Sequence, residues 1–346
     1  MKGFASDNYA GAHPEVLAAI ADANDGHAIP YGADPWTARA DELLREHFGE
    51  QAVSYLVFNG SAANVLSLRA LCRPWESVIC AAQAHINVDE GGAAERIAGV
   101  KLQDVPTPDA KLTPALVAPL IVRRRDEHAV QQRVVSITQS TELGTRYSVD
   151  ELRALADFAH EEGLVVHVDG ARLANAAAAL GVSLGAVTTD AGVDVVSFGG
   201  TKNGLLLGEA VVFLSSELAD EGFKYLRKQT LQLASKGRFI AAQFIALLEG
   251  DLWRRNAAHA NAMAARLAEA LLDVPGVMLT QPVEANAIFA LLPEGVAEQL
   301  QRDWAFYTWD EQTGEVRLVC SWDTTGGEVD AFAADVSRAC KSALSG

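Results

Sequence analysis

Two short segments carry residue types suited to covalent chemistry. The first, Leu164-Val165-Val166-His167-Val168-Asp169-Gly170-Ala171-Arg172, is an apolar run that ends on an acid and a cation. The second, Val195-Val196-Ser197-Phe198-Gly199-Gly200-Thr201-Lys202-Asn203-Gly204, is an apolar run that opens into glycines around one lysine. Taken singly, Lys202 fits an ordinary turn and Asp169 fits the cap of a following helix. Taken together, each at the exit of its own strand, they fit a pyridoxal phosphate (PLP) site. That cofactor needs an amine to hold its aldehyde as a Schiff base and a carboxylate to keep its ring nitrogen protonated.

Three more positions suit such a site. In Phe58-Asn59-Gly60-Ser61-Ala62-Ala63-Asn64, Gly60 allows close backbone approach, and Ser61 with the free N–H groups of a first helical turn can hold a phosphate. Ser61 would serve equally as an ordinary N-cap. His85 follows the apolar run Val78–Cys80, where an imidazole can stack on an aromatic ring and exchange a proton near neutral pH, or sit in a surface loop. Glu90 either orients a neighbour or is solvated. Arg317 is a lone cation in the apolar run Val316–Ser321, and its fork suits a carboxylate ligand or a structural ion pair.

The elements that must position these residues alternate between two periods. Tyr55–Phe58, Val78–Cys80, Val134–Ile137, Leu164–Val168, Val193–Ser197 and Ala210–Leu214 read as strands, with Ser61–Leu71 and Ser148–His160 as helices between them. Ser148-Val149-Asp150-Glu151 has the spacing of a capping box. Continuous apolar strands separated by helices predict an α/β fold with a mostly parallel sheet covered on both faces. Ligands of such sheets lie beyond the carboxyl ends of the strands, where Asp169 and Lys202 fall. Residues 216–272 read as helical. After Pro275-Gly276, Ala287–Leu292, Trp304–Trp309 and Val316–Ser321 read as strands and Glu328–Leu344 as a helix, which predicts a small C-terminal α+β domain. The expected organisation is an N-terminal arm (1–15), a large domain (16–249) and a small domain (250–346).

At 346 residues with 49% hydrophobic and 21% charged content, the chain has ample length for a buried core. A net charge of −17 disfavours nucleic acid and anionic membrane as partners. Met1–Asp7 has no apolar core of a signal peptide, and no run approaches a membrane span, so a cytoplasmic protein is expected. Cys72, Cys80, Cys320 and Cys340 fall in no metal-binding spacing, and no metal is expected.

Together these residues resemble the low-specificity L-threonine aldolase and phenylserine aldolase family, of PLP fold type I in the beta-eliminating lyase superfamily. The likeness runs from Phe4-Ala5-Ser6-Asp7-Asn8-Tyr9 and Tyr31-Gly32-Ala33-Asp34 through the segments above to Val316-Arg317-Leu318-Val319-Cys320-Ser321-Trp322-Asp323. It implies that Lys202 holds PLP covalently, Asp169 meets the ring nitrogen, Arg172 neutralises the phenolate oxygen, His85 stacks on the ring, and Gly60 and Ser61 hold the phosphate. It implies that Arg317 pairs with the substrate carboxylate, helped by Ser6, with Arg172 and Tyr31 also on the substrate side. His85 is the implied base at the β-hydroxyl, and glycine and an aldehyde are the products. Lys228 and Arg238 are candidates to reach a neighbouring subunit's phosphate in a homo-oligomer, a dimer of dimers. One departure stands out. Many relatives carry a histidine after the strand Val134–Ile137, where this chain has Gln139-Ser140-Thr141-Glu142-Leu143-Gly144, so Glu142 is expected to face the substrate's β-substituent.

The alternatives left open are another PLP reaction (β-elimination, racemisation or transamination) and a ligand-binding protein on an enzyme-like scaffold. A nucleotide-binding oxidoreductase lacks its G-x-G-x-x-G here.

Overall fold

The computed structural model describes residues 3–219 and 222–345. Seven strands, β1 (Val53–Val57), β2 (Glu76–Ala81), β3 (Lys101–Val105), β4 (Gln131–Thr138), β5 (Val165–Gly170), β6 (Val195–Gly199) and β7 (Glu209–Phe213), form one sheet in the order β1-β7-β6-β5-β4-β2-β3. The run β6-β5-β4-β2-β3 is parallel, and β7 lies antiparallel to both of its neighbours. Every residue of β5, β6 and β7 is buried, which is why these strands read as mostly apolar runs, with His167 and Ser197 as buried polar interruptions. β5 and β6 are adjacent, with Asp169 opposite Ser197 and Gly170 opposite Phe198, so both chemical exits open side by side at one sheet edge.

β3 is an element the periodicity did not predict. It is an edge strand whose Leu102 and Val105 are buried while Lys101 and Asp104 are exposed, so it contains no apolar run. The capping box is present as expected: Ser148 and Glu151 each accept from the other's backbone N–H at the head of the Val149–Glu161 helix.

A second, antiparallel sheet comprises β8 (Met278–Leu279), β9 (Ala287–Leu291), β10 (Tyr307–Asp310) and β11 (Glu315–Val319), in the order β10-β11-β9-β8. The strand expected from Trp304 starts only at Tyr307. Trp304 instead packs its ring near Phe4 and Phe332 and donates to Asp335 at 2.9 Å. The Gly326–Ser345 helix covers this sheet through Val329, Phe332 and Val336.

The expected helical stretch divides into Phe223–Gln229, Arg238–Leu248 and Leu252–Leu272, with a break at 230–237 and a left-handed Gly250. The last of these helices spans both cores: Leu252, Trp253 and Ala257 join the core of the large sheet, and Ala264, Leu267 and Leu271 that of the small one. The N-terminal arm lies on the small sheet, where Phe4 N–H donates to the Ala305 carbonyl and Val319 N–H to the Phe4 carbonyl, each at 2.7 Å. Among the described residues, no helix is long and apolar enough to cross a membrane.

Candidate active site

Lys202 sits in a short 3-10 turn, Thr201–Asn203, directly after β6. The turn can form only because glycines precede it. A Cβ on Gly199 would stand 2.6 Å from the Ala171 carbonyl oxygen, and one on Gly200 would strike the Leu205 side chain and come within 2.8 Å of the Gly208 carbonyl. The Glu209 carboxylate accepts from Gly200 N–H at 2.9 Å and fixes the turn from the start of β7. Burial pushes the Glu209 carboxyl up to about 7, against the hydrogen bonds it accepts. Sequence reasoning missed Glu209; its only mark was a charge at the head of an otherwise apolar strand. The Lys202 amine is shifted below its ordinary value by the Arg172 charge and by burial, opposed by Asp7, Asp169 and Glu209.

Asp169 is 5% exposed and held at both oxygens: Oδ1 accepts from Ala171 N–H at 3.0 Å and Oδ2 from Asn64 Nδ2 at 2.8 Å. It does not cap the next helix, which begins at Leu173 with no side-chain cap. Asn64 Nδ2 also donates to Glu90 Oε1 at 2.9 Å, and His85 Nδ1 lies 2.9 Å from that same oxygen. His85, Glu90 and Asp169 thus come within 4.8 Å of one another, with the Asn64 amide between the two carboxylates. Glu90 therefore orients a neighbour, and its side chain is fully buried. Its hydrogen bond is the largest influence on His85, whose imidazole titrates above its ordinary value despite burial.

Asn64 belongs to the Gly60–Leu71 helix, whose N-cap is Asn59 rather than Ser61: Asn59 Oδ1 accepts from Ala62 N–H at 2.9 Å. With Asn59 capping, the Ser61 hydroxyl is released from that role. A Cβ on Gly60 would meet nothing within 4 Å, so this turn opens onto free space.

Glu142 reaches the same region from the loop after β4. Its Oε1 accepts from His85 N–H at 2.8 Å and from the Thr138 hydroxyl at 2.7 Å, while Oε2 is buried without a partner among the described residues. Burial brings its carboxyl up to about 7, opposed by the Thr138 hydrogen bond and reinforced by the Asp169 charge.

Arg172 and Arg317 behave differently. Arg172 grips Asp7 with two hydrogen bonds, Nε to Oδ2 at 2.7 Å and Nη2 to Oδ1 at 2.9 Å. Arg317 has no ion pair among the described residues. Its guanidinium carbon stands 4.6 Å from the Trp309 ring centre and 5.7 Å from that of Tyr307, and its buried Nε has no partner. Burial and the Arg172 charge bring it down to about 10. Ser6 is next to this cluster, its hydroxyl 3.5 Å from Asp7 Oδ1.

Tyr31 is not part of this cluster in the single chain. It is 51% exposed, with Lys228 Nζ 5.2 Å from its ring centre. Arg238 stands over Trp36 and Phe239 and donates to the Gly26 carbonyl. Asp34 caps the Pro35–Phe48 helix, accepting from Thr37 N–H at 2.8 Å. The sequence pattern did not single out Asp7, Asn64 or Glu209 as members of the site.

This donor set fits PLP. A shifted amine at Lys202 matches the aldehyde, a doubly anchored carboxylate at Asp169 matches a protonated ring nitrogen, and the open turn at Gly60 and Ser61 matches a phosphate. The unpaired Arg317 matches the carboxylate of an amino acid.

Comparison with known proteins agrees. The profile of the beta-eliminating lyase family matches residues 3–294. The chain is 48% identical to a low specificity L-threonine aldolase of Pseudomonas aeruginosa over 335 residues, covering 96% of each chain. It is 46% identical to a low specificity L-threonine aldolase of Pseudomonas sp. over 342 residues, covering 98% of each. Among solved structures, a threonine aldolase of Leishmania major superposes with a TM-score of 0.92 at 31% identity, covering 98% of this chain and 99% of that one.

Proposed function

The chain belongs to the beta-eliminating lyase family, and from that membership we propose that it is a PLP-dependent aldehyde-lyase of the low-specificity L-threonine aldolase kind. It cleaves L-threonine, L-allo-threonine and other L-3-hydroxy-2-amino acids, phenylserine included, reversibly to glycine and an aldehyde. The observation that carries this reading is Arg317, a guanidinium with no ion pair among the described residues, which feels the charges of the same Arg172 and Asp7 that act on Lys202. A carboxylate-binding fork beside a shifted amine and an anchored acid is the equipment for an α-amino acid.

PLP, when bound, supplies a sink for the electron pair left when Cα–Cβ breaks. The chain's own residues do the rest. Lys202, shifted down by Arg172 and burial, offers a larger uncharged fraction at Nζ for carbonyl attack and for carrying a proton. Asp169 has Asn64 and the Ala171 N–H on its oxygens and would accept the proton-bearing ring nitrogen. Gly60 and Ser61 would hold the phosphate, and Arg172 would face the ring's phenolate oxygen. Arg317, with the Ser6 hydroxyl, would fix the substrate carboxylate and so set which bond at Cα is cleaved. His85 has Nδ1 committed to Glu90, which leaves Nε2 to take the β-hydroxyl proton. Glu142 would line the side of the β-substituent, and Tyr31, outside this cluster in the single chain, would do so only from a neighbouring subunit.

The proposed assembly is a cytoplasmic homo-oligomer, a dimer of dimers. The support is exposed Lys228 over the exposed Tyr31 ring, with half-buried Arg238 over Trp36, as cations that would reach the phosphate of a second subunit.

Incubating the holoenzyme with phenylserine and following benzaldehyde absorbance tests the activity, with Lys202→Ala as the control. Benzaldehyde from wild type and none from the variant is expected. No aldehyde from phenylserine or threonine would overturn the reading.

A further inference from the structure

Asp7 joins three parts of the chain at the site. The arm that carries it is tied to the small sheet, with the Phe4 ring buried in that sheet's core and its backbone bonded to Ala305 and Val319. Three residues on, the Asp7 carboxylate crosses to the large sheet and takes both hydrogen bonds of the Arg172 fork, at 2.7 and 2.9 Å. Asn286, just before β9, donates to the same carboxylate at 3.2 Å while holding the Cys320 carbonyl, just after β11, at 2.8 Å. The residue is 2% exposed.

Charge adds to this geometry. Arg172 depresses the proton affinity of both Lys202 and Arg317, and Asp7 opposes it at each. Burial alone would push the Asp7 carboxyl up, but the charges of Arg172 and Lys202 outweigh it and hold the group below the ordinary carboxylate value. The other groups acting on Lys202 are Asp169 and Glu209, and Lys202 in turn acts on His85.

From this arrangement we propose that Asp7 is a positioning residue for the reaction: it aims the Arg172 fork, ties the arm and small sheet to the lysine-bearing edge, and is the counter-charge shared by the site's cations. The proposal rests on reading the site as that of a PLP lyase. It also explains why Ser6, the candidate partner of the substrate carboxylate, has a fixed place although it lies on an arm: the next residue is anchored on both sides.

The test reads Lys202 directly in cofactor-free protein. Competitive acetylation at graded pH, with mass spectrometry of the Lys202 peptide, gives the midpoint of its amine, and exposed Lys101 serves as the internal control. Removing a negative charge makes an ammonium easier to deprotonate, so Asp7→Asn should lower the Lys202 midpoint by about one unit and leave Lys101 unmoved. In the holoenzyme the same variant should raise KM for threonine about tenfold with a smaller change in kcat, because the carboxylate-binding side loses alignment. Breaking a buried pair by removing one partner is strongly destabilising, so a second comparison removes both: Arg172→Gln/Asp7→Asn against Arg172→Gln alone. The midpoint should fall there too. A residue that only latches the arm would lower the melting temperature and leave the midpoint where it was; an unmoved midpoint in both comparisons overturns the proposal. A wild-type holoenzyme that releases no aldehyde would overturn the assigned activity instead, and the labelling result would stand by itself.

Discussion

Asn64 donates one amide hydrogen to Asp169 at 2.8 Å and the other to Glu90 at 2.9 Å, so one side chain sets the positions of two carboxylates. The amide cannot turn over without pointing its oxygen at both. The orientation of Asp169, the acid proposed for the ring nitrogen, and that of Glu90, the acid bonded to His85, are therefore fixed together.

Asp169→Asn should keep the fold and lose most of the chemistry. A buried charge-assisted pair is worth roughly 2–4 kcal/mol, or about 30- to 10³-fold in rate. The measurement is exchange of the glycine α-proton in D2O by NMR, which needs the ring nitrogen but no aldehyde. Asn64→Leu should slow the same exchange about fivefold, since one hydrogen bond at Asp169 contributes about 1 kcal/mol. Wild-type exchange in both variants would mean that another group serves the ring nitrogen.

The His85–Glu90 contact predicts where the acid limb of the pH profile lies. Glu90 raises the imidazole's proton affinity, so the neutral form that can accept the β-hydroxyl proton takes over at a higher pH than in an ordinary histidine. kcat/KM should rise with pH through that shifted value. Glu90→Gln withdraws the raising influence and should move the limb to lower pH by about one unit. Profiles of both proteins with phenylserine decide this, and a limb that stays put excludes His85 as the titrating base.

Much of this site was legible in the chain before folding, and the reason is the sheet. β5 and β6 are covered on both faces, so they are written as mostly apolar runs, and Asp169 and Lys202 stand out where those runs stop. What was not legible depends on partners far apart in sequence. Asn64 is 105 residues from Asp169 and Asp7 is 165 from Arg172, and neither asparagine nor aspartate is unusual where it stands. Glu209 reads as a strand-end charge until the fold brings it against Gly200. β3 escaped for a related reason: it is an edge strand of five residues whose two buried apolar residues, Leu102 and Val105, stand three apart, so it shows neither an apolar run nor a two-residue alternation.

Arg317 offers a sharper kinetic signature than the other site residues. It has no carboxylate partner among the described residues and lies against Trp309, so its fork is free for a ligand. Arg317→Ala should raise KM for threonine about 10- to 100-fold, the range of a lost charge-assisted bidentate contact worth roughly 1.5–3 kcal/mol. Arg317→Lys should recover only part of this, because an ammonium cannot reproduce the planar fork. Initial-rate kinetics of the three proteins separate the outcomes; equal KM values would place the carboxylate elsewhere.

The last prediction concerns the β-substituent. Glu142 Oε1 is occupied by His85 N–H and the Thr138 hydroxyl, which leaves Oε2 as the one oxygen able to meet a substrate. Its carboxyl titrates at about 7, so near neutral pH it is divided between a form that donates at Oε2 and one that only accepts. A group so divided can hydrogen-bond a β-hydroxyl of either configuration, and discrimination between threo and erythro substrates should be weak. Phenylserine should be cleaved at least as well as threonine. Because a tenfold preference needs only about 1.4 kcal/mol, one repositioned hydrogen bond would be enough to create it. Glu142→His offers a fixed donor and acceptor at that position but gives up the acceptor that holds the His85 backbone. It should therefore change the threo-to-erythro ratio of kcat/KM and lower both values. Measuring that ratio for threonine and for phenylserine, in wild type and Glu142→His, decides the matter. A ratio that does not move for either substrate would mean that Glu142 serves His85 and Thr138 alone and does not face the β-carbon.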